Sequence, residues 1–148
     1  MKVLITPRGF ANYGLDEVEK MRNAGLEVHY NDTGLAYTHE EFKELAKDAD
    51  AIIFVGGISS SLEGEEMGVK YPGFRNGDRT NIDLPQVQKN MMKALKETGK
   101  PVIFVLCSGS TMALSWEDKN MDAILQAWYP GQEGGTAVAD VLFGDYNP

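Results

Sequence analysis

The chain alternates short apolar runs with segments whose apolar residues recur every three or four positions, and this alternation most narrows what it can fold into. Strand-period and helix-period segments in succession predict parallel strands joined by crossover helices. The first strand is expected at Lys2 to Thr6. Leu15, Val18 and Met21 then recur at helical spacing and stop at Ala24-Gly25, where glycine can take the left-handed cap conformation. A second strand follows at Glu27 to Tyr30. Thr38 and Glu41 have the spacing of a capping box ahead of Phe42 and Leu45, so a second helix is expected to about Asp48. Ala51 to Val55 is apolar without interruption and predicts a third strand covered on both faces.

Residues 58 to 82 break the rhythm as a long loop rich in glycine, proline and acidic residues. Asp83 and Gln86 then offer another capping box, followed by an apolar stripe of Leu84, Val87, Met91 and Leu95 that stops at Gly99. Strand four is expected at Pro101 to Leu106, strand five at Ala123 to Trp128, and a last helix with Ala137, Val138, Val141 and Leu142 ends at Gly144. Ser108 to Asn120 is irregular or holds a short helix. Right-handed crossovers make this one three-layer, flavodoxin-like α/β domain over residues 1-148, a five-stranded parallel sheet in the order 2-1-3-4-5.

Charge and cysteine content bound the partners. A net charge of −8 repels nucleic acid and anionic lipid, so neither is expected to bind. A single cysteine, Cys107, excludes an internal disulfide. With no charged-then-apolar leader and no run of about 18 apolar residues, the expectation is a soluble, cytoplasmic protein with no membrane segment. Met67, Tyr71 and Phe74 in the long loop are apolar positions through which copies could self-associate.

Few residues carry chemistry. Glu63, Glu65 and Glu66 place three carboxylates in the loop after the third strand, which by themselves read as a solvated acidic segment. His29 and His39 are lone histidines with no second ligand at metal-binding spacing, so no metal is expected. Cys107 ends strand four beside Ser108-Gly-Ser110 without a histidine nearby in sequence, which argues against a catalytic thiol. Gly131 to Gly135 opens a helix but carries Glu133, which would repel phosphate. No cofactor is expected. A switch-point crevice would lie between Thr6, Pro7, Arg8 and Gly9 on one side and Gly56, Gly57, Ser59, Ser60 and Ser61 on the other, with Arg8 placed for a small anion.

Two resemblances add to this. The run Ala51-Ile-Ile-Phe-Val-Gly-Gly-Ile-Ser, the loop Leu62-Glu-Gly-Glu-Glu-Met67, the Gly77-Asp-Arg-Thr80 turn and Ala127-Trp-Tyr-Pro-Gly-Gln-Glu-Gly-Gly135 resemble the second, sandwich domain of family 3 glycoside hydrolases. Met1 to Tyr13, Asn31-Asp-Thr-Gly34 and Tyr37 to Phe42 instead look like the opening of a D-2-hydroxyacid dehydrogenase of the phosphoglycerate type. Together they imply a chimera spliced near Asp48-Ala-Asp-Ala51, an engineered scaffold without catalytic activity of its own. The alternative is a residual sugar-binding module, or a family 3 fragment that lacks its barrel domain. In the hydrolase family the nucleophile is an aspartate on a barrel, and the acid/base glutamate sits on a loop of the sandwich domain. Glu63 is the first match to that glutamate, Glu65 the second and Glu66 the third. Asp78 and Arg79 resemble the family's loop-anchoring pair, and Trp128 stands where it could meet a sugar.

Overall fold

Lys2–Ile5 and Glu27–Tyr30, each bounded by turn residues, form strands β1 and β2, which pair in parallel with Lys2 opposite Glu27 and Ile5 opposite Tyr30. In the computed structural model, which describes residues 1–64 and 67–148, they belong to the first of two compact units, Met1–Asp50 and Ala51–Pro148. Between them runs α1, Leu15–Asn23, which buries Val18. Beyond it, Gly25 adopts φ +83°. Helix α2, His39–Ala46, starts with the capping box the sequence predicts. The Glu41 amide donates to Thr38 Oγ1 at 3.2 Å and the Thr38 amide donates to Glu41 Oε2 at 2.8 Å, satisfying two donors that a helix start otherwise leaves orphaned.

The second unit contains β3 (Ile52–Gly57), a two-residue hairpin of β4 (Phe74–Arg75) and β5 (Asp78–Arg79), α3 (Gln86–Lys96), β6 (Val102–Cys107), α4 (Glu117–Asn120), β7 (Ala123–Gln126) and α5 (Gly134–Phe143). Strands β3, β6 and β7 pair in parallel, in that order. Strand β6 lies in the middle, so Val102, Phe104, Val105 and Leu106 are fully buried, and the Phe104 ring packs on Phe54 with centroids 5.7 Å apart. Met92 and Leu95 from α3 close over this core.

Several expectations need correction. The flavodoxin-like, five-stranded sheet in the order 2-1-3-4-5 is not present. Among the described residues the strands pair as β1-β2, β3-β6-β7 and β4-β5, so the 2-1 and 3-4-5 segments of that order exist as separate ladders. The crevice from Thr6 to Gly9 and from Gly56 to Ser61 presupposed a continuous ladder, which the pairing does not provide. The strand covered on both faces is β6 rather than β3: side chains alternate between faces along a strand, and Phe104, Val105 and Leu106 are all buried, while Ile53 and Val55 of β3 are exposed at 48% and 64%.

The stripe on α3 is rotated from the expected one. Val87 and Met91 face outward, and the buried positions are Met92 and Leu95. Leu84 and Leu95 are buried as expected, and Met92 takes the inward place expected of Met91; Gln88, one turn before Met92, lies on the same face with its amide engaged at the end of β3. Asp83 caps nothing. Pro85 occupies the N-cap position, while Asp83 accepts from Lys89 Nζ at 2.6 Å and its backbone bridges Ala113. The β4–β5 hairpin lies inside the segment expected to be loop, although Asn76-Gly77 is its signature: with φ of 52° and 92°, the two residues take the left-handed conformations that a tight hairpin turn needs.

Candidate functional site

The loop after β3 returns to the sheet through one side chain. Backbone bonds from the Leu62 and Glu63 amides to the Ser59 carbonyl, at 2.9 and 3.0 Å, close a tight turn that aims Glu63 back at the ends of β6 and β7. There its carboxylate accepts from the Ser110 hydroxyl, from the Tyr129 hydroxyl and from the Gly109 amide at 3.1 Å. Arg79, at the end of β5, brings Nη1 to 3.8 Å from Glu63 Oε1 and to 3.0 Å from Ser110 Oγ. The side chains of Glu63 and Arg79 are only 15% and 14% exposed, so this pair is shielded from solvent. The remaining Arg79 donors reach the carbonyls of Asn81 and Asp83, and its guanidinium lies 5.1 Å from the centroid of the Phe74 ring.

Close packing makes the cluster specific. A Cβ on Gly109 would lie 2.5 Å from the Tyr129 ring and 2.7 Å from Glu63 Oε2, so glycine alone lets the amide approach the carboxylate. Burial by itself would push the Glu63 carboxyl upward. The hydrogen bonds from Ser110, Tyr129 and Gly109 and the charge of Arg79 outweigh it and hold the group below the usual glutamate range. The same contacts act in reverse on Tyr129: burial and the bond to the Glu63 carboxylate push its phenol up to about 12. Glu63 is thus an ionised acceptor whose oxygens are engaged on every side by donors of the cluster.

The expected residues fall out unevenly. Glu63 and Arg79 come together. Asp78 does not join them: it turns the hairpin opposite Arg75, and the anion beside Arg79 is Glu63 instead. Glu65 and Glu66 lie outside the described residues, as does the side chain of His39. His29 sits exposed on β2, 3.2 Å from Glu27. Cys107 ends β6, and burial pushes its thiol up, away from the thiolate a nucleophile needs. Trp128 follows β7 in the left-handed region at φ +58°, with 58% of its surface exposed. Phe74 is partly covered by Arg79 and Tyr71, whereas Met67 is more than half exposed.

Gly109, Ser110 and Tyr129 are not among the residues expected at the site, although the motifs Ser108-Gly-Ser110 and Ala127 to Gly135 contain them. The available signal is positional: they directly follow β6 and β7, and the carboxyl ends of parallel strands are where α/β proteins gather binding groups.

The description "Glycosyl hydrolase family 3 C-terminal domain" matches residues 8–148. The chain belongs to this family. It is 66% identical over 102 residues to a xylan 1,4-beta-xylosidase of Xylanibacter ruminicola, covering 69% of this chain and 12% of that protein. It is 35% identical over 147 residues to an exo-1,4-beta-xylosidase of Emericella nidulans, covering 95% of this chain and 17% of that one. The solved family 3 beta-glucosidase of Bifidobacterium adolescentis superposes on 99% of the chain and 23% of its own, with a TM-score of 0.67 at 26% identity. This member of the family therefore spans between about an eighth and a quarter of the length of these relatives.

The family match overturns the engineered chimera. It begins at residue 8 and the Emericella alignment covers 147 residues, so both run through the supposed splice near Asp48, and the dehydrogenase-like head has no support. The boundary that suggested two ancestries coincides with the boundary between two compact units of one family 3 domain.

Proposed function

We propose that this chain is the carboxylate-bearing α/β module of a family 3 β-xyloside hydrolase, with Glu63 as the anchor of its loop and Glu65 as the acid/base. What carries the assignment is the saturation of Glu63. A carboxylate has about four acceptor positions; Ser110, Tyr129 and Gly109 fill three of those of Glu63 by hydrogen bonds, and the Arg79 guanidinium pairs with its charge at 3.8 Å. A general acid must carry a proton and present it to the leaving oxygen. Glu63 is held ionised and faces inward, so the role passes to a carboxylate beyond the anchor, and Glu65 is the first.

Retaining hydrolysis needs a second carboxyl about 5 Å from the acid/base. In this proposal that group comes from outside the chain, so the chain alone turns nothing over. The xylosidase name of the 66% identical relative favours a β-xyloside. Trp128 adds a second point of support: an exposed indole on strained backbone, next to the residue that bonds Glu63, offers an aromatic surface for a sugar ring.

The test is complementation. The chain is mixed with the barrel domain of a family 3 hydrolase, and hydrolysis of aryl β-xylosides is followed. A rate above that of the barrel alone supports the proposal, and an unchanged rate refutes it. Glu65→Gln should abolish the added kcat/KM for a poor leaving group but spare it for dinitrophenolate, which leaves without a proton, while kcat on the latter falls because water attack on the intermediate loses its general base and is rescued by azide. If Glu63→Gln shows that dependence and Glu65→Gln does not, the two roles are reversed.

A further inference from the structure

We infer that Gln88 is a positioning residue for the carboxylate loop, locking the end of β3 so that the chain leaves it on the path that brings Glu63 to its clamp. The inference rests on the proposed function for its catalytic meaning, but its geometry stands independently.

Among the described residues, strand β3 has β6 on one edge only. At its last residue, Gly57, the amide donates to Gln88 Oε1 at 2.7 Å and the carbonyl accepts from Gln88 Nε2 at 2.6 Å. One primary amide therefore satisfies both backbone groups of one residue, as a neighbouring strand would. Gly57 needs such a hold. Its φ of +123° is open to glycine and strained for other residues, and a Cβ there would lie 1.8 Å from the Cys107 carbonyl oxygen. The next residue, Ile58, is buried and donates its amide to that same carbonyl at 2.9 Å. Ser59 then starts the turn that delivers Glu63. A short span of chain thus runs between two fixed points, Gly57 held by Gln88 and Glu63 held by Ser110, Tyr129, Gly109 and Arg79.

A glutamine on the inward face of an amphipathic helix, where an aliphatic side chain would pack without polar cost, is otherwise unexplained. Neither the stripe pattern nor the core requires it. Its cost is offset only if both amide atoms find partners, and both do, on a single residue just before the loop's turn closes at Leu62. Asparagine is too short to replace it and glutamate cannot donate to the Gly57 carbonyl.

The test separates positioning from simple stabilisation by reading Glu63 itself. In Gln88→Met, which keeps length and volume but bonds neither group of Gly57, the Glu63 carboxyl is titrated by carbon NMR in the folded chain, and Tyr129 by its ultraviolet absorbance. Loosening of the anchor should raise the Glu63 midpoint toward that of an ordinary glutamate and lower the Tyr129 midpoint toward that of an ordinary tyrosine. A variant that melts earlier but leaves both midpoints where they are in the parent would overturn the inference. Should Gln88→Met not fold, the unaltered chain still decides. Cross-relaxation between the Gln88 side-chain amide protons and Gly57, with slowed exchange of those protons, is expected, and rapid exchange without cross-relaxation refutes the lock.

Complementation distinguishes this inference from the functional reading. If the parent chain fails to activate the barrel while Gln88→Met shifts both midpoints, the lock stands and the hydrolase proposal falls. If the parent chain activates the barrel and the midpoints do not move, the lock falls alone. If both hold, Gln88→Met should lower kcat in the complemented enzyme more than it raises KM.

Discussion

Replacing Gly57 by alanine tests the packing at the sheet end with a magnitude that can be worked out in advance. The native φ of +123° is strained for any residue with a Cβ, at a cost of about 1–3 kcal/mol. The new methyl would also sit 1.8 Å from the Cys107 carbonyl oxygen, so the backbone must move. That movement endangers the Ile58-to-Cys107 bond and both bonds to Gln88. Three hydrogen bonds at a net value of about 1 kcal/mol each, added to about 2 kcal/mol of strain, give roughly 5 kcal/mol, an upper figure because relaxation recovers part.

Gly99→Ala is the control. Gly99, in the same unit, has φ +73°, and a Cβ there would meet nothing within 4 Å, so only the left-handed penalty of about 1–2 kcal/mol applies. Urea unfolding followed by far-ultraviolet circular dichroism should place Gly57→Ala about 3 kcal/mol below Gly99→Ala, a large share of the stability of an ordinary domain. A difference under about 1 kcal/mol would refute the claim that close approach to Cys107, rather than φ alone, demands glycine at 57.

Other outcomes follow from the same contacts. Phe104→Ala should cost about 3–5 kcal/mol in urea unfolding, because Phe104 is fully buried on the central strand against Phe54. Thr38→Ala should cost about 1 kcal/mol and unwind the start of α2 in amide exchange, since the capping box loses its hydroxyl. Glu63 has a folded midpoint below its unfolded one, so its contribution is present above the unfolded value and is lost as pH falls through the folded one; Glu63→Gln should flatten the acid limb of stability against pH. Tyr129 is the opposite case, raised from 10 to about 12, so its contribution is complete below pH 10 and fades as pH rises toward 12. Tyr129→Phe should remove that alkaline decline, and a decline that persists unchanged would exclude the phenol as its source.

Local chemistry made much of the secondary structure legible. The second strand at Glu27–Tyr30, the Thr38–Glu41 cap, the left-handed Gly25 and the stop of the last helix at Gly144 all depend on residues within a turn or two of one another. The resemblance of residues 51 to 135 to the family 3 sandwich domain was also readable, because its motifs are short and dense in glycine and charge. The head misleads for another reason: Met1 to Tyr13, Asn31 to Gly34 and Tyr37 to Phe42 look like a dehydrogenase opening, yet the family 3 match runs from residue 8 through them.

What the tertiary structure decided are pairings across long stretches of chain, which no periodicity encodes. An apolar run such as Ala51 to Val55 does not state whether it will have one strand neighbour or two, nor which of its faces will be covered: β3 pairs on one edge and exposes Ile53 and Val55, while β6 pairs on both edges and buries Phe104, Val105 and Leu106. Acidic residues in a loop do not state which donors will find them. Forty-six residues separate Glu63 from the Gly109 amide and 66 from the Tyr129 hydroxyl, yet these contacts make Glu63 an anchor rather than a solvated carboxylate. Gln88 draws no notice in the sequence, and its role is visible only once Gly57, 31 residues earlier, supplies both of its partners. Periodicity reports the face a side chain occupies on its own element, whereas the function of a polar side chain is set by the partner it meets once the sheet has closed.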